Sequence, residues 1–551
     1  MPSIIRVFCG LASVVLLGWG LATIDDVSDA RWLTTLGIAW LLLLLATYVP
    51  LSNMPQFSRS LIRIAIVFAT VLAIVSVQLI RIQVVQQDAI AYRTAQTDDG
   101  DAIANPRVVL TPLENQRGEI LDRDGVVIAA TTEQDGNYYR SWPNPATSNI
   151  AGYHSPFLFG SSGLELSYAD VLTGQAGNNP VTRLFNNLLH QPQQGSDISL
   201  TLDTGLQESA QSMLGDQNGA VVVVDVDTGD IIVMASSPNY DPNQLFTTSP
   251  TSNADAQAYW DTLVADPDAP LVTRANLGLY TPGSTFKTVT AAIAIELGYA
   301  DPESVYTDDG QLVIDGRVLE GQNRPNVSQT QWTLREGIMW SLNIVLAQVG
   351  LQIGGGEFWD MAQRFGFGRD IPFDLPVSES QLASDQSFLD SSNAVADTGF
   401  GQGEIQVSPL HMAIITAGVA NDGAIMQPRL VDQIVSPNGS ATDVPPSETW
   451  LTPMSPETAG QVEAMMVHTV NAGSVQAAQA PGYVVGGKTG TAETGVETPH
   501  AWFIGFIGHL DGESQYAVAV VLEFGGSGLT GPVSIGRDML LQTMETPQPS
   551  D

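Results

Sequence analysis

The chain is 551 residues long, carries a formal net charge of −37 at pH 7 and contains one cysteine. The length suits a membrane anchor followed by two or three soluble regions. The charge argues against nucleic acid as a partner, since that binding needs a basic surface; the lone Cys9 rules out an intramolecular disulfide, and six histidines without an HExxH pattern give zinc chemistry no support.

Three apolar runs fill the first eighty or so residues, roughly 4–24, 32–51 and 61–80. Each is long enough to span the hydrocarbon core, which needs about 20 residues as helix. The first connector is acidic, with Asp25, Asp26 and Asp29, whereas the second holds Arg59, with Arg63 just inside the next run. The positive-inside rule places that second connector in the cytoplasm. The expectation is a multi-pass protein of the cell membrane, with three transmembrane helices in residues 1–85 and the soluble part on the extracytoplasmic side. The first run also reads as a cleaved signal sequence, which leaves the soluble part on the same side.

Residues 86–215 mix short strands and turns, and form a first exterior region. Asp124-Gly125 between apolar runs reads as a hairpin turn, and 178–195 is polar, with loops or a short helix. A second region spans 216–543. The run Ala220 to Asp225 is a buried strand, Asp227 to Asp230 a turn and Ile231 to Ala235 the return strand. A helix follows Ser284, because Phe286, Val289, Ala292, Ile293 and Leu297 recur at helical spacing. A second helical stretch covers roughly 333–349, and strands are expected at 482–488, 502–507 and 516–523. Residues 544–551 read as a disordered tail.

Only two lysines occur in the whole chain, Lys287 and Lys488. Arginine stays protonated at any usable pH, whereas a buried lysine can lose its proton and act as a base. A chain so averse to lysine keeps one where arginine cannot serve. Lys287 lies in Gly283-Ser284-Thr285-Phe286-Lys287. A spacing of three puts Ser284 Oγ and Lys287 Nζ on one helical face, within hydrogen-bond reach. Burial and the positive helix N-terminus both favour a neutral lysine, which can take the serine proton and create a nucleophile. Backbone N–H groups at the same turn can hold an oxyanion. Lys488-Thr489-Gly490 ends a strand with a cation, a hydroxyl and an unobstructed backbone, so a peptide can pair along it. A Ser-x-Asn element occurs four times, at Ser237, Ser341, Ser391 and Ser436. Two of these contain proline and read as turns, and Ser391 sits in a polar stretch. Ser341-Leu342-Asn343 alone lies in a helical context between the two lysine motifs: its hydroxyl can relay a proton and Asn343 can bind a substrate amide.

Ser-x-x-Lys, Ser-x-Asn and Lys-Thr-Gly form a joint signature, and the chain resembles a class B penicillin-binding protein, a monofunctional peptidoglycan D,D-transpeptidase. The resemblance covers roughly residues 60–543 and extends to Arg117-Gly118-x-Ile120-x-Asp122-Arg123-x-Gly125, Gly163-Leu164-Glu165, Asp241-Pro242-Asn243, Arg274-Ala275, Tyr280-x-Pro282-Gly283 and Gly399-Phe400-Gly401-Gln402-Gly403. It implies an α/β fold: a membrane anchor, a short mixed α+β pedestal, and a serine β-lactamase-like transpeptidase domain whose antiparallel sheet is flanked by helices. It implies catalytic roles for Ser284 as acylated nucleophile, Lys287 as general base, Ser341 and Asn343 as proton relay and donor-stem contact, and Lys488 as completing the network. Thr489, Gly490 and Thr491 would bind substrate, with the hydroxyls reading a terminal carboxylate, and the N–H groups of Ser284 and Thr491 would form the oxyanion hole. No metal or other cofactor is implied. Stem peptides and β-lactams are the implied ligands.

Only a short stretch separates Arg117 from Glu165, which resembles the compact penicillin-binding-protein-A-like subgroup. The first two apolar runs are extra to the family's usual single anchor, and serve either as plain anchoring or as packing against a membrane partner. The length leaves no room for an upstream glycosyltransferase domain, so the family suggests a SEDS-type glycan polymerase as partner. A D,D-carboxypeptidase, in which water takes the acyl group, and a serine β-lactamase are the alternative activities; a β-lactam-sensing receptor would be a binding-class alternative. His500 reads as an ordinary loop histidine.

Overall fold

A computed structural model describes residues 3–547, apart from 23–28, 49–50, 52–53, 82–94, 97–101, 104–112, 114, 176–193, 249–252, 446–447, 494, 496–497 and 511. The chain divides into two compact units: residues 1–114 with 178–192, and 115–177 with 193–551. The polar stretch 178–195 and the last residues of the expected tail fall largely outside the described residues.

The first unit holds helices Ser3–Ala22, Asp29–Ala46 and Gln56–Ile80. The sequence suggested three spans. Among the described residues one helix, Gln56–Leu79, is long and apolar enough to cross a membrane, while Ile4–Trp19 and Arg31–Ala46 are shorter apolar stretches. Polar links tie the three together: Ser13 Oγ donates to Ala39 O at 3.0 Å, and Trp40 Nε1 to Thr70 Oγ1 at 3.2 Å.

The second unit is built on two large sheets, with small two-stranded ones beside them. Its larger core packs on one face of a five-stranded antiparallel sheet with the spatial order Ile231–Ser237, Gly219–Asp225, Ser514–Leu522, His500–His509, Tyr483–Ala492. Alternation explains why the valine run Val221 to Val224 is buried throughout. Side chains on a strand point to opposite faces in turn. Val222 and Val224 join the core that contains helix Pro409–Ala420. Val221 and Val223 join a second core with helices Thr204–Leu214 and Gly531–Glu545. Thr204–Leu214, expected with the pedestal, thus packs on the central sheet, and Gly531–Glu545 runs into the start of the expected tail.

The pedestal sheet has six strands in the order Ala441–Asp443, Val431–Val435, Asp197–Leu200, Ile120–Leu121, Val127–Gln134, Asn137–Ser141. Two of these come from far along the chain, so the pedestal is completed by the region that follows it. The Arg117-Gly118 motif and Glu165 meet at this sheet, where Arg140 of strand Asn137–Ser141 joins them. Arg117 Nε and Arg140 Nε reach the two Glu165 carboxylate oxygens at 3.0 and 2.6 Å, with Glu165 fully buried. Gly118 is required there, because a Cβ would sit 1.8 Å from Ser196 O.

The helical stretch expected at 333–349 is two helices, Leu334–Met339 and Asn343–Ile353. Thr333 and Glu336 form a capping box that starts the first. The break falls at Ser341, whose φ is +60. A left-handed non-glycine residue cannot continue a helix and costs about 1–2 kcal/mol. Its neighbours hold it: Ser341 N donates to Ile338 O at 3.2 Å and Leu342 N to Gly337 O at 2.8 Å.

Candidate active site

Ser284 lies in a 3-10 turn, Gly283–Phe286, that feeds directly into helix Lys287–Glu296. Phe286 pins the turn into the core, stacked on Phe358 at 6.1 Å and edge-on to Phe367 at 5.7 Å. Trp502 Nε1 donates to Thr281 O at 3.1 Å, which fixes the approach to the turn. Gly283 has φ +56, and a Cβ there would lie 2.6 Å from Thr491 O. The nucleophile turn therefore abuts the strand Tyr483–Ala492 backbone to backbone.

That strand is the edge of its sheet, paired on one side only, with Lys488 opposite Ile504 and Thr491 opposite Ala501. Thr491 O faces Gly283, and Gln402 Nε2 donates to it at 3.5 Å. In an antiparallel ladder a residue's N–H and C=O point to the same side, so Thr491 N–H also lies on the free edge, toward Ser284.

Both lysines are fully buried. Lys287 Nζ contacts Ser341 O at 2.8 Å, Ser341 Oγ at 3.1 Å and Asn343 Oδ1 at 2.6 Å. Lys488 Nζ contacts Ser341 Oγ at 2.9 Å and Thr489 O at 3.0 Å. Among the described residues no carboxylate pairs with either. Burial, helped by the neighbouring Lys488 charge, holds Lys287 well below its ordinary value, and burial brings Lys488 down to about 7. The contact expected between Ser284 Oγ and Lys287 Nζ is not among these: Lys287 is engaged with Ser341 and Asn343, while half-buried Ser284 stands at the turn above. Of the four Ser-x-Asn elements, Ser341 is the one that meets both lysines; Ser391 instead precedes helix Ser392–Gly399 as its N-terminal flanking residue.

His500 opens the strand His500–His509 rather than sitting in a loop. Its Nδ1 accepts from Phe524 N at 3.1 Å and its ring meets Tyr280 edge-on at 5.4 Å. Sequence reasoning missed Glu523, which directly follows the neighbouring strand Ser514–Leu522. It accepts from Tyr280 O–H at 2.7 Å and from Arg274 Nε at 2.8 Å, and so ties the segment before Ser284 to the sheet.

Two family models match this chain. The penicillin binding protein transpeptidase domain covers residues 219–539, and the penicillin binding protein A dimerisation domain covers 117–198. The chain belongs to the class B penicillin-binding proteins. The peptidoglycan D,D-transpeptidase PbpA of Mycolicibacterium smegmatis is 32% identical over 442 residues, which are 77% of this chain and 87% of that protein. The PbpA of Mycobacterium tuberculosis is 30% identical over the same shares. Among solved structures, penicillin-binding protein A from M. tuberculosis, as a ceftriaxone acyl-enzyme complex, matches with a TM-score of 0.71 at 29% identity, over 79% of this chain and 100% of that one. The D,D-transpeptidase domain of a peptidoglycan glycosyltransferase from Eggerthella lenta matches with a TM-score of 0.68 at 32% identity, over 78% and 99%. In this penicillin-binding protein the match at 117–198 supplies three strands of the pedestal sheet and the start of a fourth, and that at 219–539 supplies all five of the central sheet and the two remaining pedestal strands.

Proposed function

We propose that the chain is a serine D,D-transpeptidase that cross-links peptidoglycan stem peptides through an acyl-enzyme on Ser284, and that β-lactams inhibit it by acylating the same oxygen. The observation that carries this reading is the single hydroxyl of Ser341 shared by two buried lysines beside Ser284. In the proposed sequence, Ser284 Oγ attacks the carbonyl of the D-Ala-D-Ala bond and Lys287 takes its proton. The N–H groups of Ser284 and Thr491 hold the oxyanion, an arrangement whose single donors are worth about 10²–10³ in rate. Collapse expels the terminal D-Ala, whose amine receives a proton through Ser341 with Lys488 behind it. An amine from a neighbouring stem then attacks the acyl-enzyme by the reverse route. Thr489 and Thr491 hydroxyls bind the terminal carboxylate along the Lys488-Thr489-Gly490 edge, and the Asn343 amide contacts the donor stem while its Oδ1 orients Lys287.

In this reading residues 1–85 anchor the chain through three transmembrane helices, the pedestal is built mainly from 86–203, the region from 216 to the end of helix Gly531–Glu545 carries catalysis outside the cytoplasm, and a tail follows that helix. The helix Gln56–Leu79 supports the anchor. Polymerisation falls to a separate SEDS-type enzyme, and the two additional apolar helices serve either as plain anchoring or as packing against a membrane partner.

The test is labelling of the full chain in detergent with a fluorescent penicillin, beside Ser284→Ala. Stable label on the wild type alone is expected, followed by transfer from a D-Ala-D-Ala donor to an amine acceptor. Rapid loss of label would replace the reading with a β-lactamase, and product formed only with water would replace it with a carboxypeptidase.

A further inference from the structure

Arg317 stands at the tip of a hairpin formed by strands Gln311–Ile314 and Arg317–Glu320, with Ile314 paired to Arg317. Asp315 and Gly316 make the turn, with φ of 49 and 85, the signs that a tight two-residue hairpin favours. From this tip the guanidinium forms a forked pair with Asp397, Nη1 to Oδ2 at 2.6 Å and Nη2 to Oδ1 at 2.7 Å.

Asp397 belongs to helix Ser392–Gly399. Its carbonyl accepts from Phe400 N at 3.3 Å and Gln402 N at 2.9 Å, so it anchors the turn that follows. That turn touches both halves of the site. A Cβ on Gly401 would lie 1.9 Å from Gly283 O, so the turn presses on the nucleophile segment. Gln402 Nε2 reaches Thr491 O at 3.5 Å. At the far end of the hairpin Gly321 faces Ile344, next to Asn343, with 3.1 Å from its would-be Cβ to Ile344 Cδ1.

We propose that the Arg317–Asp397 pair positions the turn at residues 400–403, and through it sets the distance between the Ser284 and Thr491 N–H groups. Arg317 and Asp397 are then positioning residues for acylation; this rests on the transpeptidase reading above. A two-pronged Arg–carboxylate pair adds geometric specificity as well as energy. The side chains are 43% and 22% exposed, so the pair contributes little to global stability, whereas ångström-scale misplacement at a reacting centre can cost about 10²-fold.

The experiment measures acylation of the full chain by a fluorescent penicillin, separating noncovalent binding from the acylation step. The variants are Arg317→Ala, Arg317→Lys, Asp397→Asn and, as a control exposed pair, Arg335→Ala. Arg317→Ala and Asp397→Asn are expected to slow the acylation step about 10-fold with binding unchanged and melting temperatures within about 2 °C of wild type. Arg317→Lys, a point charge without the fork, should fall between, and Arg335→Ala should match wild type. Rates equal to wild type in all variants, or losses that track melting temperature, overturn the proposal alone. A wild type that takes no label sinks the transpeptidase reading and this proposal with it.

Discussion

Lys287 and Lys488 approach one oxygen from two sides: Ser341 Oγ lies 3.1 Å from the first Nζ and 2.9 Å from the second. Counting protons assigns the roles. A neutral lysine has two N–H donors and one lone pair. For Lys287 the two acceptors without a proton to offer are Ser341 O and Asn343 Oδ1, which use both donors. Its lone pair then receives the Ser341 hydroxyl proton, and Ser341 Oγ in turn accepts from Lys488. Lys287 is thereby satisfied as the neutral amine, whereas Lys488 donates to Ser341 Oγ and Thr489 O in either state and, as the cation of the pair, carries a third N–H.

That assignment fixes the pH profile. The acid limb reflects loss of a proton from Lys287, which burial holds well below its ordinary value. The alkaline limb begins as Lys488, at about 7, gives up its proton. The penicillin acylation rate is expected to rise, peak and then fall as pH climbs through about 7, as the paired lysines titrate together. Lys287→Arg, which cannot give up its proton, should lose at least about 10²-fold. Lys488→Arg keeps the cation and should push the alkaline limb to higher pH. A rate that keeps rising to pH 9 in the wild type would refute the one-neutral, one-charged pairing.

Ser341 separates strain from chemistry. Both Ser341→Ala and Ser341→Gly delete the hydroxyl and are expected to reduce acylation by about 10²-fold or more. Only the glycine relieves the left-handed backbone at φ +60. Ser341→Gly should therefore be more stable than Ser341→Ala by about 1 kcal/mol, read as the difference between two urea unfolding curves. Equal stabilities would mean that the backbone leaves the left-handed region once the hydroxyl is gone.

Gly490 tests the closeness of strand and nucleophile. An added methyl would meet Pro282 O at 2.6 Å, Thr285 Cγ2 at 3.0 Å and Trp502 Cβ at 3.1 Å. Backbone cannot retreat as a flexible side chain can, so Gly490→Ala should cost about 1–3 kcal/mol and slow acylation about 10²-fold. Normal acylation with lowered stability would show that the strand, not the Ser284 turn, absorbs the shift.

The reach of the sequence is uneven for physical reasons. The central strands were legible because Val221 to Val224 and the run from Trp502 carry uninterrupted apolar residues bounded by turns. Ser284, Lys287 and Lys488 were legible because lysine is so scarce. The break at Ser341 was not, since apolar residues keep helical spacing through 333–349 and serine carries no mark of a positive φ. The six-stranded order was hidden because Asp197–Leu200 pairs with Val431–Val435, far along the chain, and pairing at that distance leaves no local pattern. Arg317 and Asp397 meet across 80 residues, and nothing near either residue announces the other. The first two apolar runs form helices Ser3–Ala22 and Asp29–Ala46, whose apolar stretches, Ile4–Trp19 and Arg31–Ala46, are shorter than that of Gln56–Leu79, because run length in the sequence does not show where a helix begins and ends.

The pedestal stakes part of its stability on Glu165. Burial alone would raise this carboxyl, but Arg140 and then Arg117 outweigh it and hold it at about 2, below the ordinary 4.5. A carboxyl depressed in the folded state stabilises fully above its unfolded value and loses that contribution as pH falls from about 4.5 toward about 2, in all about 3 kcal/mol. Glu165→Gln removes the charge between two buried guanidinium groups and should cost about 3–5 kcal/mol at neutral pH. It should also flatten the loss of stability between pH 5 and pH 3. Urea unfolding of both proteins across that range is the measurement. A variant as stable as wild type at pH 7 would mean that water, rather than Glu165, balances Arg117 and Arg140.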